Sequence, residues 1–309
     1  MIKYVFRRIL SLIPVLIGVT LIVFTLLYLT PGDPARMVLG EQAPQESVDQ
    51  LREDMGLNKP FFVQFGNYVY KAVVNHDLGR SYITKRPVSN EIMNVFPATL
   101  KLAALSMFFA VIIGIPFGII SAIRQYSLFD SSVMIVALIG ISMPVFWLGL
   151  LLILLFSVKL HWLPASGFYS FKHMILPAIT LGAQSVAIIT RMTRSSVLEV
   201  IRQDYIRTVR AKGQKESKVI LKHALGNALI PIITIAGLQF GILLGGAVLT
   251  EAIFSIPGVG RLMVESIKMR DYPIVQGGVL YIAIVFSIVN LLVDLLYAYV
   301  DPRIKAQYK

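Results

Sequence analysis

Six long apolar stretches recur along the chain, at Ile9–Leu29, Leu102–Ile123, Val133–Val158, Met174–Thr190, Ala228–Leu249 and Val275–Val300. A helix needs about 20 predominantly apolar residues to cross roughly 30 Å of hydrocarbon. Five stretches reach that length, whereas the fourth is short and carries Gln184 and Ser185. The pattern predicts an all-α membrane protein with six transmembrane helices. Pro116 and Pro144 fall inside predicted spans, where neighbouring helices can re-satisfy the backbone groups that a proline frees. Lys3, Arg7 and Arg8 precede the first stretch. That stretch exceeds the apolar core of a signal peptide and no small-residue cleavage site follows it, so it reads as a retained span.

The intervals between the stretches set the organisation. Residues 1–29 form an N-terminus and first span, and 30–98 one long external connection. Residues 99–300 form a five-span core interrupted by the loop 191–227, and 301–309 a short tail. Within the long connection, Pro60–Val74 sets Phe61, Phe65, Tyr68, Val69 and Ala72 at helical spacing. This predicts an amphipathic helix, lying in the interface or packed on the spans, as part of a helical external cap.

Composition strengthens the membrane assignment. Hydrophobic residues make up 56% of the chain, charged residues 15%, and mean hydropathy is +0.73. A soluble domain carries about 25% charged residues. The net charge of +12 does not point to nucleic acid, because the basic residues interrupt apolar runs instead of forming a patch on a soluble core. Attraction to anionic lipid and retention of loops on one side account for it better. Three basic residues precede Ile9, nine lie in 191–227 and three in the tail, while basic and acidic residues nearly balance in the other loops. Short loops rich in Lys and Arg stay inside, which predicts both termini in the cytoplasm. Cysteine is absent, so the chain has no thiol chemistry of its own.

No G-x-x-x-x-G-K-[ST] phosphate loop, H-E-x-x-H helix or G-x-S-x-G elbow occurs, and the four histidines are scattered. The chain therefore predicts no catalytic, cofactor or metal site, and a pump built on it would take energy from another subunit. Gly114 and Gly118, and Gly237, Gly241 and Gly245, recur at the four-residue spacing that lets helices approach closely in lipid. Asp294 is the acidic residue set well inside a span, with Asn290 one turn away. A carboxylate there costs roughly 2.5–3.5 kcal/mol on insertion scales, so it faces the bundle, water or a basic partner. With Ser142 and Gln184, these two are candidates for a translocation path. Glu251 to Gly260 mixes apolar and turn residues; Pro257, Gly258 and Gly260 oppose a helix, and Glu251 and Phe254 flank them. The segment is either a re-entrant, gate-covering loop or a simple surface turn.

The loop 191–227 combines helical spacing with a break. Val197, Ile201 and Tyr205 share one face, Gly213 interrupts, and Lys215–Leu225 resumes with Val219, Ile220, Ala224 and Leu225. Two short helices around a glycine can form a knob whose apolar face enters a partner's groove. The alternative is a solvated basic loop that only enforces topology.

The stretches R-T-V-R-A-K-G, Arg207–Gly213, and H-A-L-G-N-A-L-I-P, His223–Pro231, resemble the coupling loop of ABC-importer permeases. With P-G-D-P at Pro31–Pro34, E-A-I-F-S-I-P-G-V-G at Glu251–Gly260 and D-L-L-Y-A-Y-V-D-P-R at Asp294–Arg303, the chain is similar to their dipeptide, oligopeptide, nickel and glutathione branch. The resemblance implies half of a transmembrane pathway in a bacterial or archaeal cell membrane. It also implies a second homologous permease, two cytoplasmic ATPase subunits holding ATP and Mg, and an extracytoplasmic substrate-binding protein. The loop residues it points to are Tyr205, Arg207, Thr208, Val209, Arg210, Ala211, Lys212, Gly213, Lys215 and His223, with Ala211 and Gly213 expected in packing roles. Where the wider family has Glu-Ala-Ala, this chain has Arg207, Thr208 and Val209, so no carboxylate role carries over to Arg207. Dipeptides or oligopeptides are the expected cargo, with nickel and glutathione as the alternatives inside the branch. An ion-coupled secondary transporter would instead show several intramembrane carboxylates and inverted repeats.

Overall fold

In lipid the backbone must satisfy its own hydrogen bonds, and the chain does so almost wholly as helix. The computed structural model describes residues 2–300. Helix α1 is Ile2–Leu29; α2 (Pro34–Leu39), α3 (Gln45–Asp54) and α4 (Phe61–Val74) follow it in the first long connection. Then come α5 (Val88–Ile123), α6 (Leu128–Ser142), α7 (Val145–Leu152) running into a π-helical stretch at Ile153–Lys159, and α8 (Phe171–Ile201). The second half holds α9 (Asp204–Ala211), α10 (Glu216–Lys218), a π-helical turn Val219–Ala224, α11 (Leu225–Ile253), α12 (Val259–Lys268) and α13 (Tyr272–Val300). Among the described residues the β contact recorded is the isolated bridge Arg80–Pro87.

Five helical segments are long and apolar enough to cross a membrane: 8–29, 88–123, 171–201, 216–253 and 272–296. A sixth candidate is the pair Leu128–Ser142 and Val145–Lys159, bent by 106°. The Val133–Val158 run is thus not one straight helix. Pro144 supplies no N–H and bars the α conformation to the residue before it, and Met143 is accordingly extended at ψ 125°. The stretch expected to be short, Met174–Thr190, lies inside the 31-residue α8. The apolar reading underestimated it because α8 is surrounded by protein, and buried Thr180, Ser185, Thr193 and Ser196 sit where lipid would demand apolar side chains. The second span also starts early: α5 begins at Val88, inside the interval read as external cap.

Close approach of α5 to α8 fixes the centre of the fold. A Cβ on Gly118 would stand 2.6 Å from Thr193 Cβ and 2.7 Å from the Thr190 carbonyl. One on Gly182 would stand 2.8 Å from the Ser106 carbonyl. On the other side, Gly237 and Gly241 admit Val293 and Phe286 of α13, whereas Gly245 meets only Ile282 at 4.0 Å. The glycine spacing therefore reports helix contact at four of its five positions, Gly114 lying against Ile189.

The connection between α1 and α5 packs on α1 and the start of α13. Phe24 of α1 meets Phe61 and Phe65 of α4 edge-on, at ring centroids 5.4 and 5.6 Å apart. Edge-to-face pairs of this kind are favourable beyond their buried area. Asp33 caps α2 by accepting from the Ala35 N–H at 3.1 Å, and Arg52 of α3 reaches the same carboxylate at 2.8 Å. Asp271, just before α13, accepts from the Ser81 hydroxyl and the Tyr82 N–H. Burial and that carboxylate push the Tyr82 phenol up to about 12.

Filling Gly118 tests the α5–α8 contact. Gly118→Ala should destabilise the detergent-solubilised protein by about 1–3 kcal/mol through overpacking, read as a lowered thermal transition. Gly226→Ala, where nothing lies within 4 Å of the added carbon, should leave the transition unchanged or raised.

Candidate functional site

The knob between α8 and α11 is assembled from short elements whose ends are set locally. Asp204 opens α9 and Arg210 lies in its last turn, each complementing the helix dipole. Gly213 then takes φ +73°, with its N–H bonded to the Arg210 carbonyl at 2.9 Å. A left-handed residue after a helix is a common stop, and glycine adopts it without steric penalty. No atom lies within 4 Å of where a Gly213 Cβ would sit, and Ala211 is exposed. Within its own chain Gly213 thus supplies a backbone conformation.

Arg210 closes across the break with two bonds to Glu216, at 2.6 and 3.1 Å. That carboxylate raises the Arg210 guanidinium above its ordinary value. Tyr205 donates to the His223 carbonyl at 3.3 Å and accepts from Asn227 at 2.5 Å, stapling α9 to the π turn. Ile206, Val219, Ile220 and Ala224 are buried in one cluster with Ile119 of α5, Val197 and Val200 of α8, and Ala228 and Ile232 of α11. Tyr205 and Val209 pack at its edge.

Most of the knob's apolar face turns into its own chain. The outward surface is mostly polar: Arg207, Thr208, Lys212 and Lys215 are exposed, as are Asp204 and Arg210, with Leu221 as an exposed apolar side chain among them. His223 is half-buried beneath them.

The path candidates separate into two places. Gln184 of α8 donates to the Met143 carbonyl at the α6–α7 break, at 3.5 Å, and exposed Ser142 adjoins that carbonyl. Asp294 instead lies 3.3 Å from Arg8, joining α13 to α1, with half-buried Asn290 one turn away.

The segment 251–260 is not a surface turn. Glu251, Phe254 and Ile256 are buried, and the Phe254 carbonyl accepts from the Gly167 N–H at 2.8 Å. The Thr99 hydroxyl donates to Glu251 at 2.6 Å, and the Arg261 N–H donates to the same carboxylate at 3.0 Å. A Cβ on Gly258 would collide with that carboxylate, and one on Gly260 would stand 2.5 Å from Val248 Cα. Pro257 precedes this glycine pair. Gly260 was read as opposing a helix but lies in the first turn of α12, because Glu251 and Thr99 satisfy that helix's exposed N–H groups.

Sequence reasoning missed one pair. Asp130 of α6 is buried and accepts both Arg194 nitrogens, at 2.6 and 2.7 Å, together with the Ser121 hydroxyl of α5. Ser127 and Asp130 form an S-x-x-D cap at the start of α6, a legible signal. Arg194 lay hidden among the loop charges because α8 was read too short.

Against known proteins, the family described as binding-protein-dependent transport system inner membrane component matches residues 114–306. Its N-terminal counterpart matches residues 1–103. The chain belongs to this family of ABC-importer permeases. It is 50% identical over 333 residues to a dipeptide transport system permease, DppB, of Alkalihalophilus pseudofirmus, covering 99% of this chain and 100% of that one. It is 47% identical over 305 residues to a glutathione transport system permease, GsiC, of Escherichia coli O6:H1, covering 99% of each. The permease fold is also seen in an inward-facing MetNI methionine ABC transporter, with TM-score 0.58 and 20% identity over 68% of this chain and 95% of that one.

Arg194→Met strands the buried Asp130 carboxylate and should destabilise this permease by about 3 kcal/mol in thermal unfolding. The double variant Asp130→Leu/Arg194→Met should recover most of that loss, since breaking a buried pair costs more than replacing it.

Proposed function

We propose that the chain forms half of the translocation pathway of an ATP-driven importer of dipeptides or oligopeptides. It crosses the membrane six times, the bent α6–α7 pair counting as one crossing, with both termini and the knob in the cytoplasm. A second, homologous permease completes the pathway. Two ATPase subunits, which hold ATP and Mg, engage residues 204–225, and an extracytoplasmic protein delivers cargo to the face bearing α2–α4 and α12. The 50% identity to a dipeptide permease supports the cargo. Glutathione, itself a peptide with free carboxylates, is the second reading, supported by the 47% relative.

The construction of the knob carries the mechanical reading. Its outer surface is mostly polar and its back is continuous with the buried cluster reaching α5, α8 and α11. A push on Arg207, Thr208 or Lys212 cannot be absorbed locally, because Tyr205 and the Arg210–Glu216 pair brace α9 against the next helix. Close-packed interiors transmit displacement, so ATPase closure moves the spans. The segment Phe254–Gly260, pinned by Glu251, is the external gate in this scheme. Arg8–Asp294 ties α1 to α13 at the cytoplasmic end.

Gly213→Asp tests the coupling role, since an added side chain meets strain at φ +73° and an added charge on the contact surface. In proteoliposomes containing the complete transporter, peptide uptake and cargo-stimulated ATP hydrolysis should fall at least tenfold while the permeases still assemble. Uptake equal to the parent's would refute the coupling role. Competition between a labelled dipeptide and glutathione on the same proteoliposomes decides the cargo.

A further inference from the structure

The inward-facing apolar side of the knob leaves its recognition chemistry incomplete. Stable protein contacts draw most of their energy from a few aromatic or apolar anchors seated in a partner's pockets. Arg207, Thr208, Lys212 and Lys215 offer charge and hydrogen bonds, and Leu221, 60% exposed in the π turn, is the apolar side chain the knob itself presents. The adjoining turn offers two more. The turn between α5 and α6 presents Tyr126 at 85% exposure and Leu128 at 88%, among the most exposed large apolar side chains of the chain.

That turn is rigid and joined to the knob. Tyr126 donates its N–H to Asp130 at 3.0 Å, and Arg194 clamps the same carboxylate from α8. Arg202, at the α8–α9 junction, donates to Gln125 at 3.3 Å. Ile119 and Ala122, one turn before, share the buried cluster of Ile206 and Val219. Tyr126 itself adopts φ +63°, a left-handed conformation that costs a bulky residue of order 1–2 kcal/mol. Glycine would relieve that strain, so an exposed tyrosine held there at a cost to stability calls for a use outside the fold.

We infer that Tyr126 and Leu128 form a second, apolar contact for the ATPase subunit, seated beside the polar contact of the knob. This rests on the reading of residues 204–225 as the ATPase contact. The turn and the knob then move as one body, the knob giving charge complementarity and the turn giving the buried anchor. A lipid surface is the competing occupant. The hydrogen bond to Arg202 and the shared cluster favour the ATPase, because they fix the turn to the coupling helices.

The test uses the permease pair in nanodiscs and measures affinity for the purified ATPase subunits. Tyr126→Gly removes the ring and the strain together. It should weaken ATPase binding about tenfold, as a 1.4 kcal/mol anchor would, while the thermal transition stays level or rises. Leu128→Ser should weaken binding similarly. Affinity within twofold of the parent in both variants overturns the inference. So does a loss that appears in nanodiscs with anionic lipid and vanishes in neutral ones, which would assign the pair to the lipid surface. Gly213→Asp separates this inference from its premise. Weak binding there with normal binding in Tyr126→Gly leaves the knob as the contact and removes the turn. The reverse result keeps the turn as the contact and removes the knob.

Discussion

The contact between α5 and α8 is the constraint on which the other arrangements depend. Lipid tails are as apolar as leucine, so helices in a bilayer gain little by hiding apolar surface from one another; they associate through close packing and polar bonds. Gly118 and Gly182 bring the two backbones near enough that a single methyl would overlap a carbonyl. With α8 held so tightly, its ends become reference points. One end carries Arg194 to Asp130 and the start of the knob, and the middle carries Gln184 to the break before Pro144.

The buried carboxylates Asp130, Glu251 and Asp271 lie near helix ends. The Ser127 hydroxyl caps α6 by accepting from the Asp130 N–H, the Asp130 carboxylate accepts from the Tyr126 N–H just before that helix, and Glu251 and Thr99 satisfy the start of α12. Asp271 gathers residues 81 and 82 onto the start of α13. Each carboxylate pairs a backbone N–H, of Tyr126, Arg261 or Tyr82, that would otherwise be left without a partner near a helix end. These buried carboxylates therefore hold connections in shape.

Much of this was legible in the sequence because the bilayer imposes a simple rule on lipid-facing helices. The long apolar runs located α1, α5, α11 and α13, and aromatic spacing located α4. The rule fails for α8, which touches protein on most sides and so carries threonines, serines and an arginine without penalty. It also fails at Met143, where one proline turns a continuous apolar run through 106°. The knob's two helices and its glycine were readable from spacing, but the direction of its apolar face was not. Spacing says which residues share a face; only tertiary contacts with Ile119 and Ile232 say what that face meets. Asp130 and Arg194 stand 64 residues apart, beyond any local pattern.

The break at Met143–Pro144 also governs the parity of the chain. Helix α6 has 15 residues, a rise of about 22 Å, too short alone for the roughly 30 Å of hydrocarbon. If the bent pair passes through, an even number of crossings separates the N-terminus from the knob, and the two share a compartment. If it turned back, every later loop would exchange sides. The nine Lys and Arg residues at 191–227 weigh against that exchange, because basic segments resist translocation. One proline thus opens a choice of topology on which the charge some fifty residues downstream bears.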